Sequence, residues 1–300
     1  MTEPVSIRVG ASEAGRVDRV VAGRFPEAGR RGIAALFRDR MVRLDGRIAR
    51  KGDHAAAGSL ITLIRAPASG DDLRPVAADD PSIAILYADD HLVALNKPAQ
   101  MPSHPLAAEE TGTAANVIAA RFPECLGVGD DPREAGLAHR LDRDTSGALL
   151  IARDRATWLA LRQRFSRGEV HKRYLALVQG AASRGESEAP LLTRAGRAVV
   201  DGAGLRAHSS WSVLERFETY SVLEVVAHTG RMHQVRAHLA DAGWPIAGDE
   251  LYGGAPLPGS RGHFLHAASL AFVHPHTGAA IRIEAPLPGD RAAVIASLRA

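Results

Sequence analysis

The stretch Ala138–Ala152, AHRLDRDTSGALLIA, joins a cluster of charged side chains to a short apolar run. The run follows turn residues and is too short for a good helix, which is typical of a buried strand. Asp142 lies just before it, between Arg140 and Arg143. Nearby positive charge favours an ionised carboxylate, which can act as a nucleophile or base when it is held in one orientation. The charge pattern alone, however, favours a surface loop of solvated ion pairs.

Residues 139–147, HRLDRDTSG, resemble the central motif of the RluA-type pseudouridine synthases, which isomerise uridine to pseudouridine in structured RNA. The match is nine contiguous residues, so it outweighs the solvated-loop interpretation. The resemblance implies that Asp142 is the catalytic residue. It also implies that Arg140 enters the RNA stack when the target nucleotide is extruded. Attack of Asp142 on the pyrimidine ring and attack on the anomeric carbon both remain open.

The length and composition of the chain narrow the class of protein to which it can belong. A chain of 300 residues with 46% hydrophobic and 24% charged residues fits a globular protein of about two domains. The single cysteine, Cys125, excludes an internal disulfide and a thiolate cluster. The chain contains no apolar stretch of membrane-spanning length and no HExxH motif. Residues 1–10, MTEPVSIRVG, lack a charged-then-apolar pattern, so we expect neither a membrane span nor secretion. We therefore expect a cytoplasmic protein with no cofactor and no metal.

The N-terminal 75 residues are basic, with 14 Arg plus Lys against 9 Asp plus Glu. Helical spacing predicts helices over 16–25, with Ser12 as a possible cap, and around 33–37. Strands are predicted at 41–44 and 60–64, with a turn at 45–46. This block resembles the small RNA-binding module found in the fourth protein of the ribosomal small subunit. The residues expected to contact RNA phosphates are Arg16, Arg30, Arg31 and Arg40, although a solvated charged face would give the same pattern.

The run from 66 to 81 is rich in Ala, Pro, Gly and Asp and predicts a linker. We therefore place one domain at 1–75 and the other at 82–300. Residues 85–105, ILYADDHLVALNKPAQMPSHP, resemble the opening strands of the synthase catalytic domain. Lys97 in this segment either pairs with RNA phosphate or simply ends a strand.

Two further segments resemble family strings. Residues 171–180, HKRYLALVQG, predict a strand, and the family pattern makes Tyr174 the residue that stacks on the extruded base. The phenol could also transfer a proton, or simply pack in the core. Residues 228–239, HTGRMHQVRAHL, predict a helix capped by Thr229 with Arg231 in its first turn. The resemblance implies that Arg231 pairs with the catalytic aspartate. Alternatively, Arg231 is a solvated arginine at the start of a helix, with no such partner.

The resemblance covers about residues 83 to 290 and implies an α+β fold. We expect a mixed, largely antiparallel sheet with flanking helices and a central cleft, preceded by the small α/β RNA-binding domain. The expected activity is isomerisation of specific uridines, in large-subunit ribosomal RNA first and transfer RNA second, by a monomer. The rival interpretations are a noncatalytic RNA-binding or ribosome-assembly factor and a metal-dependent RNA hydrolase. Residues 183–210 predict at most a hairpin insertion.

Overall fold

Two neighbouring strands, Leu92–Lys97 and Ser146–Ala152, form the buried centre of the larger part of the chain. All seven residues of the second strand are buried. Leu149 and Ile151 pack on one face of the sheet, and Leu150 packs on the other. Burial on both faces explains why the sequence reads as a continuous apolar run rather than an alternating one.

The computed structural model describes residues 4–67, 73–259 and 261–300, and the side chains of 27 and 29–31 lie outside that description. The described chain divides into two units, Met1–Arg74 with Leu106–Glu109 and Pro75–Pro105 with Glu110–Ala300. The predicted linker lies partly outside the described residues. Within the described ranges, every helix is too short or too polar to cross a membrane.

The first unit is a small α/β fold. Its strands are β1 (Val5–Arg8), β2 (Gly15–Arg16), β3 (Val42–Leu44), β4 (Arg47–Ile48), β5 (His54–Ala55) and β6 (Leu60–Leu63), and its helices are α1 (Val17–Arg24) and α2 (Gly29–Arg38). The main sheet has the order β1-β6-β3-β4, and β2 pairs with β5. Both predicted helices and both predicted strands are confirmed, and the two strands pair as β3 and β6. The predicted cap at Ser12 is wrong, because α1 begins after Arg16 without a side-chain cap.

The second unit contains the remaining elements. Its strands are β7 (Ile85–Ala88), β8 (Leu92–Lys97), β9 (Ser146–Ala152), β10 (His171–Gln179), β11 (Gly185–Ser187), β12 (Leu191–Arg194), β13 (Arg197–Val200), β14 (Ser209–Arg216), β15 (Tyr220–Ala227), β16 (Leu265–Val273) and β17 (Ala280–Glu284). Its helices are α3 (Ala114–Arg121), α4 (Arg155–Arg167), α5 (Gln234–Asp241) and α6 (Gly289–Arg299). Short single helical turns lie at Pro123–Cys125 and Glu250–Tyr252.

Nine of these strands form one sheet with the order β11-β14-β15-β10-β16-β9-β8-β7, and β17 pairs with β16. Among the described strands of this sheet, β9 and β16 run parallel and the other pairs run antiparallel. The predicted α+β class with a largely antiparallel sheet is therefore confirmed. The predicted hairpin insertion is present as β12–β13.

The parallel contact between β9 and β16 positions the loop that carries Asp142. It is only two residues long and brings Gly147 beside Ala267. Gly147 has φ +115°, and a Cβ at this position would lie 2.2 Å from the Ala267 carbonyl oxygen. Only glycine fits such a close approach of two backbones. The Thr-Ser-Gly of the motif thus includes a residue that the sheet itself requires.

Candidate active site

Asp142 lies in the loop before β9 and faces a cleft of about 820 Å³ in the second unit. Its side chain is 26% exposed, whereas the neighbouring Leu141 points into the core. The Ser103 hydroxyl donates to the Leu141 carbonyl at 2.8 Å and accepts from the Leu141 N–H at 3.1 Å. Both backbone groups before the aspartate are thus satisfied, which fixes the direction in which its carboxylate points.

Arg236 holds the carboxylate of Asp142. Its Nη1 donates to Asp142 Oδ2 at 2.9 Å, while its Nε and Nη2 donate to the two oxygens of Asp249 at 2.7 and 2.8 Å. Asp249 is 1% exposed and Arg236 8% exposed. Burial disfavours the charged form of Arg236, but Asp249 and Asp142 outweigh that cost and raise its pKa. The guanidinium is therefore a fixed cation, oriented by one carboxylate and presented to the other.

The predicted pairing of Arg231 with Asp142 is wrong. We expected a helix beginning at Thr229, but α5 begins at Gln234 after His233, which has a left-handed backbone with φ 51°. Thr229 instead donates its hydroxyl to the side-chain oxygen of Gln234 at 2.7 Å. Arg231 consequently lies in the turn before the helix, where its Nε donates to the Arg206 carbonyl at 2.9 Å. It lines the same cleft without reaching the aspartate.

The second oxygen of Asp142 is the one available for chemistry. Within the described residues, no donor lies within hydrogen-bonding distance of Oδ1, and His233 Nε2 is 3.9 Å away. The other ring nitrogen of His233 lies 3.1 Å from the hydroxyl of Tyr252. That hydroxyl also accepts from the backbone N–H of Ala198 at 2.9 Å and donates to its carbonyl at 3.0 Å. The β12–β13 hairpin is thereby connected to the site.

Tyr174 lies on β10 and lines the cleft together with Asp142. The pairing of β10 with β16 shifts register between Arg173 and Tyr174, so a local irregularity sets the direction of the tyrosine. Burial raises the pKa of its phenol, and the charge of Asp142 adds to the effect. A phenol with a raised pKa stays protonated at neutral pH, so it offers an aromatic face and an O–H donor rather than a phenolate base.

The wall of the cleft is strongly basic. Glu134 and Asp142 are the acidic residues among those that line it. The basic residues that line it are Arg140, Arg162, Arg167, Lys172, Arg206, Arg231 and Arg236. Arg140 and Arg231 are exposed, whereas Lys172 is buried, donates to the Thr229 carbonyl at 3.0 Å and has a pKa lowered by burial to about 8. Such a surface attracts a polyanion.

Lys97 is not a phosphate ligand, contrary to one of the two sequence interpretations. It is fully buried at the end of β8. Its Nζ donates to the carbonyls of Pro98, Met101 and Arg143 at 2.9, 2.7 and 3.1 Å. The lysine therefore ties the end of the strand to the loop that carries Asp142, and an RNA phosphate has no access to it.

Several further hydrogen bonds hold the loop that carries Asp142 in place. Thr145 and Ser146 hydrogen-bond the rings of His263 and His266, each at 2.8 Å. Arg291, fully buried in α6, donates to the Asp144 carbonyl at 2.6 Å. His139 accepts the N–H of Leu150 at 3.0 Å. The late histidines and Asp249 are thus supporting residues. Arg291 was missed because an arginine in a polar helix gives no signal of burial.

The four arginines of the first unit that were predicted to contact RNA fall into three groups. Arg16 forms a bidentate pair with Asp18 at 3.0 and 2.9 Å, so its guanidinium is already engaged. The side chains of Arg30 and Arg31 lie outside the described residues. Arg40 is exposed and lines a groove of about 550 Å³ with three other cations. These three are Arg38, Arg50 and Lys51.

Comparison with known families agrees with this geometry. Residues 91–241 match the model of the RNA pseudouridylate synthase family. The chain belongs to this family and is an RNA pseudouridine synthase, an enzyme whose substrate is RNA.

Among its relatives, the ribosomal large subunit pseudouridine synthase D of Xanthomonas campestris is 36% identical over 302 residues, covering 95% of this chain and 89% of the relative. An uncharacterised RNA pseudouridine synthase of Chloroflexus aurantiacus is 38% identical over 292 residues, covering 95% and 90%. The solved structure of human RNA pseudouridylate synthase domain containing 4 aligns with a TM-score of 0.58 at 23% identity, covering 72% of this chain and 93% of that one. This last likeness shows the fold.

Proposed function

We propose that this enzyme converts specific uridines of large-subunit ribosomal RNA into pseudouridine, with Asp142 as its catalytic residue. The observation that carries the proposal is the carboxylate of Asp142, which Arg236 holds by one oxygen at the floor of a basic cleft beside Tyr174. The ribosomal substrate is supported by relatives named as large-subunit enzymes that cover 95% of the chain. Transfer RNA is the second candidate substrate. We expect a monomer that acts in the cytoplasm.

The reaction requires a nucleophile or base, a fixed cation and space for a swung-out base. It breaks the bond between uracil N1 and the sugar, rotates the base and joins C5 to the anomeric carbon, while C5 loses its proton and N1 gains one. Either attack on the ring or attack on the sugar can start from the same oxygen, Oδ1 of Asp142. Arg236 orients that carboxylate through its hydrogen bond to Oδ2. The phenyl face of Tyr174 offers a stacking surface of the kind that contributes about 1–3 kcal/mol per base.

Arg140 fits the role of a side chain that enters the RNA stack. It is exposed at the cleft two residues before Asp142. Extruding a base costs a few kcal/mol, and a guanidinium plane placed in the gap offsets part of that cost. We further propose that the groove around Arg40 contacts RNA phosphates, because four cations line it.

A transcript assay tests the activity and its target. Purified enzyme is incubated with large-subunit ribosomal RNA, transfer RNA and an unstructured transcript, each labelled with tritium at uridine C5. Tritium release from the ribosomal RNA at a defined position, without added nucleotide, is the expected result. Release from transfer RNA alone would move the substrate to the second candidate. Binding without release from any RNA would support the noncatalytic interpretation.

A substitution series tests the RNA contact of the first unit. Replacing Arg40, Arg50 and Lys51 by glutamine one at a time should reduce the slope of log affinity against log salt by about 0.7–0.9 for each lost phosphate contact. Arg16→Gln is the matched control, because Arg16 is already paired with Asp18. An unchanged slope in the groove variants would remove this surface from the proposal.

A further inference from the structure

Three potential metal ligands converge at the end of the central sheet that lies away from Asp142. They come from separate segments of the second unit: His91 precedes β8, Asp154 precedes α4, and His276 lies in the turn between β16 and β17. His91 Nδ1 or Nε2, one oxygen of Asp154 and one ring nitrogen of His276 all lie within 4.8 Å of one another. The proposed reaction uses none of these side chains.

The contacts among these groups aim them at one another. His91 Nδ1 is 3.0 Å from Asp154 Oδ2, and the rings of His91 and His276 stack at 3.8 Å with an angle of 11° between their planes. The Thr157 hydroxyl donates to Asp154 Oδ2 at 2.6 Å and lies 2.7 Å from His276 Nε2. Two imidazoles and a carboxylate therefore already surround one small volume.

We propose that His91, Asp154 and His276 bind one divalent transition-metal ion of the zinc class. Neutral imidazole and carboxylate are the donors that such ions prefer. Zinc–ligand distances of about 2.0–2.1 Å place tetrahedral donors roughly 3.4 Å apart. The donor atoms here lie within 4.8 Å of one another, so metal binding requires the His276 ring to turn out of its stack with His91 and draw closer. The side chains of His91 and Asp154 are 38% and 39% exposed, so water completes the coordination.

Neighbouring groups keep this set in place. Asp154 Oδ1 accepts the backbone N–H of Thr157 at 2.8 Å, which orients the carboxylate. His274 Nδ1 accepts the N–H groups of His276 and Thr277 at 3.2 and 3.1 Å, and its Nε2 lies 3.0 Å from Asp89. His274 therefore shapes the turn that carries His276 and is not one of the ligands. Such supporting hydrogen bonds are usual around bound metals.

The position of the site makes the ion structural rather than catalytic. The seven residues of β9 separate it from the catalytic loop, a span of roughly 20 Å along an extended strand. Bound metal would join the start of β8, the start of α4 and the β16–β17 turn. It would stabilise the folded enzyme by binding the native state.

Calorimetric titration of the full-length, chelator-treated enzyme with zinc chloride tests this proposal. Wild type is expected to bind one equivalent that His91→Ala and His276→Ala both lose, while His54→Ala, an exposed histidine of the first unit, retains it. His276→Cys should restore the equivalent, because a thiolate is also a zinc ligand. Wild type that binds no zinc, or alanine variants with unchanged stoichiometry, would overturn the proposal.

A second measurement guards against misfolded variants. In chelator the thermal midpoint of His276→Ala should match that of wild type within a few degrees. Zinc at about 100 times its dissociation constant should raise the wild-type midpoint by about 5–10 °C and leave the variant unchanged. Equal shifts in both proteins would place the metal elsewhere and overturn the assignment. Pseudouridine formation should be the same with chelator and with zinc, because the ion is remote from the cleft.

Discussion

Arg236 and Asp142 lie 94 residues apart in the sequence, and Nη1 of the arginine is 2.9 Å from Oδ2 of the aspartate. The same guanidinium contacts Asp249 through its two remaining nitrogens. One cation thus connects the loop before β9, the first helical turn of α5 and the segment before residue 250.

Asp142→Asn should abolish turnover while leaving RNA affinity within about twofold of wild type. An amide is a poor nucleophile and base, and losing such a group typically costs about 10⁴-fold or more in rate. Tritium release and filter binding on the same transcript measure the two effects. Asp144→Asn is the matched control, because its carboxylate accepts from Gln100 at 2.8 Å and not from Arg236. Measurable turnover by the Asp142 variant would remove it from the catalytic role.

Arg236→Met should destabilise the protein by about 3–5 kcal/mol, because it leaves the carboxylate of Asp249 buried without a partner. Urea unfolding measures this loss. Arg231→Met should change the free energy of unfolding by less than about 0.5 kcal/mol, because Arg231 is exposed. Equal losses in the two variants would contradict the assignment of Arg236 as the buried bridge.

Tyr174→Phe should keep its affinity for target RNA better than Tyr174→Leu, since phenylalanine preserves the stacking surface. The expected difference is about 1–3 kcal/mol, or roughly 5- to 150-fold in dissociation constant. Binding is measured on a transcript that contains the target uridine. If phenylalanine and leucine bind equally well, the tyrosine serves packing alone.

Lys97→Met should lower the free energy of unfolding by about 3 kcal/mol, because three carbonyls lose their donor. The slope of RNA affinity against salt should stay unchanged, whereas Arg40→Gln should reduce it by roughly 0.7–0.9, because Arg40 is proposed to contact phosphate. Thermal unfolding and binding at several salt concentrations separate the two residues. A reduced salt slope in the Lys97 variant would restore the phosphate interpretation.

Acid should destabilise the folded enzyme below about pH 6.5. Burial lowers the pKa of His139 to about 3, of His263 to about 2 and of His266 to about 4. The unfolded chain therefore binds protons first as the pH falls, and the free energy of unfolding decreases through the window from about 6.5 to 4. Urea unfolding at pH 7.5, 6 and 5 checks the direction. His266→Asn should flatten the dependence, and His171→Asn, at an exposed position, should not.

The sequence alone was enough to locate the residues of the contiguous motifs, but it did not show which distant residues contact them. Gly147, Asp142 and Tyr174 could be identified because contiguous strings carry them. Arg236 could not be distinguished from Arg231, because the choice depends on where α5 begins. A left-handed residue at His233 delays that beginning, and no propensity scale predicts such a conformation for histidine.

The sequence also did not reveal which charged side chains are buried. A lysine after a strand and an arginine in a terminal helix look solvated in sequence, yet Lys97 and Arg291 are both fully buried. Each is stabilised by carbonyl groups brought together by the tertiary fold, and carbonyls leave no pattern in a sequence.

The two-residue contact between Gly147 and Ala267, secured by Arg291, has a consequence for biosynthesis. Chains emerge from the ribosome from the N-terminus at about 5–20 residues per second. The loop that carries Asp142 is therefore made many seconds before the strand and helix that hold its shape. We therefore expect a nascent chain to form pseudouridine only after β16 and α6 have been made, because His263, His266 and Arg291 hold this loop in the folded enzyme.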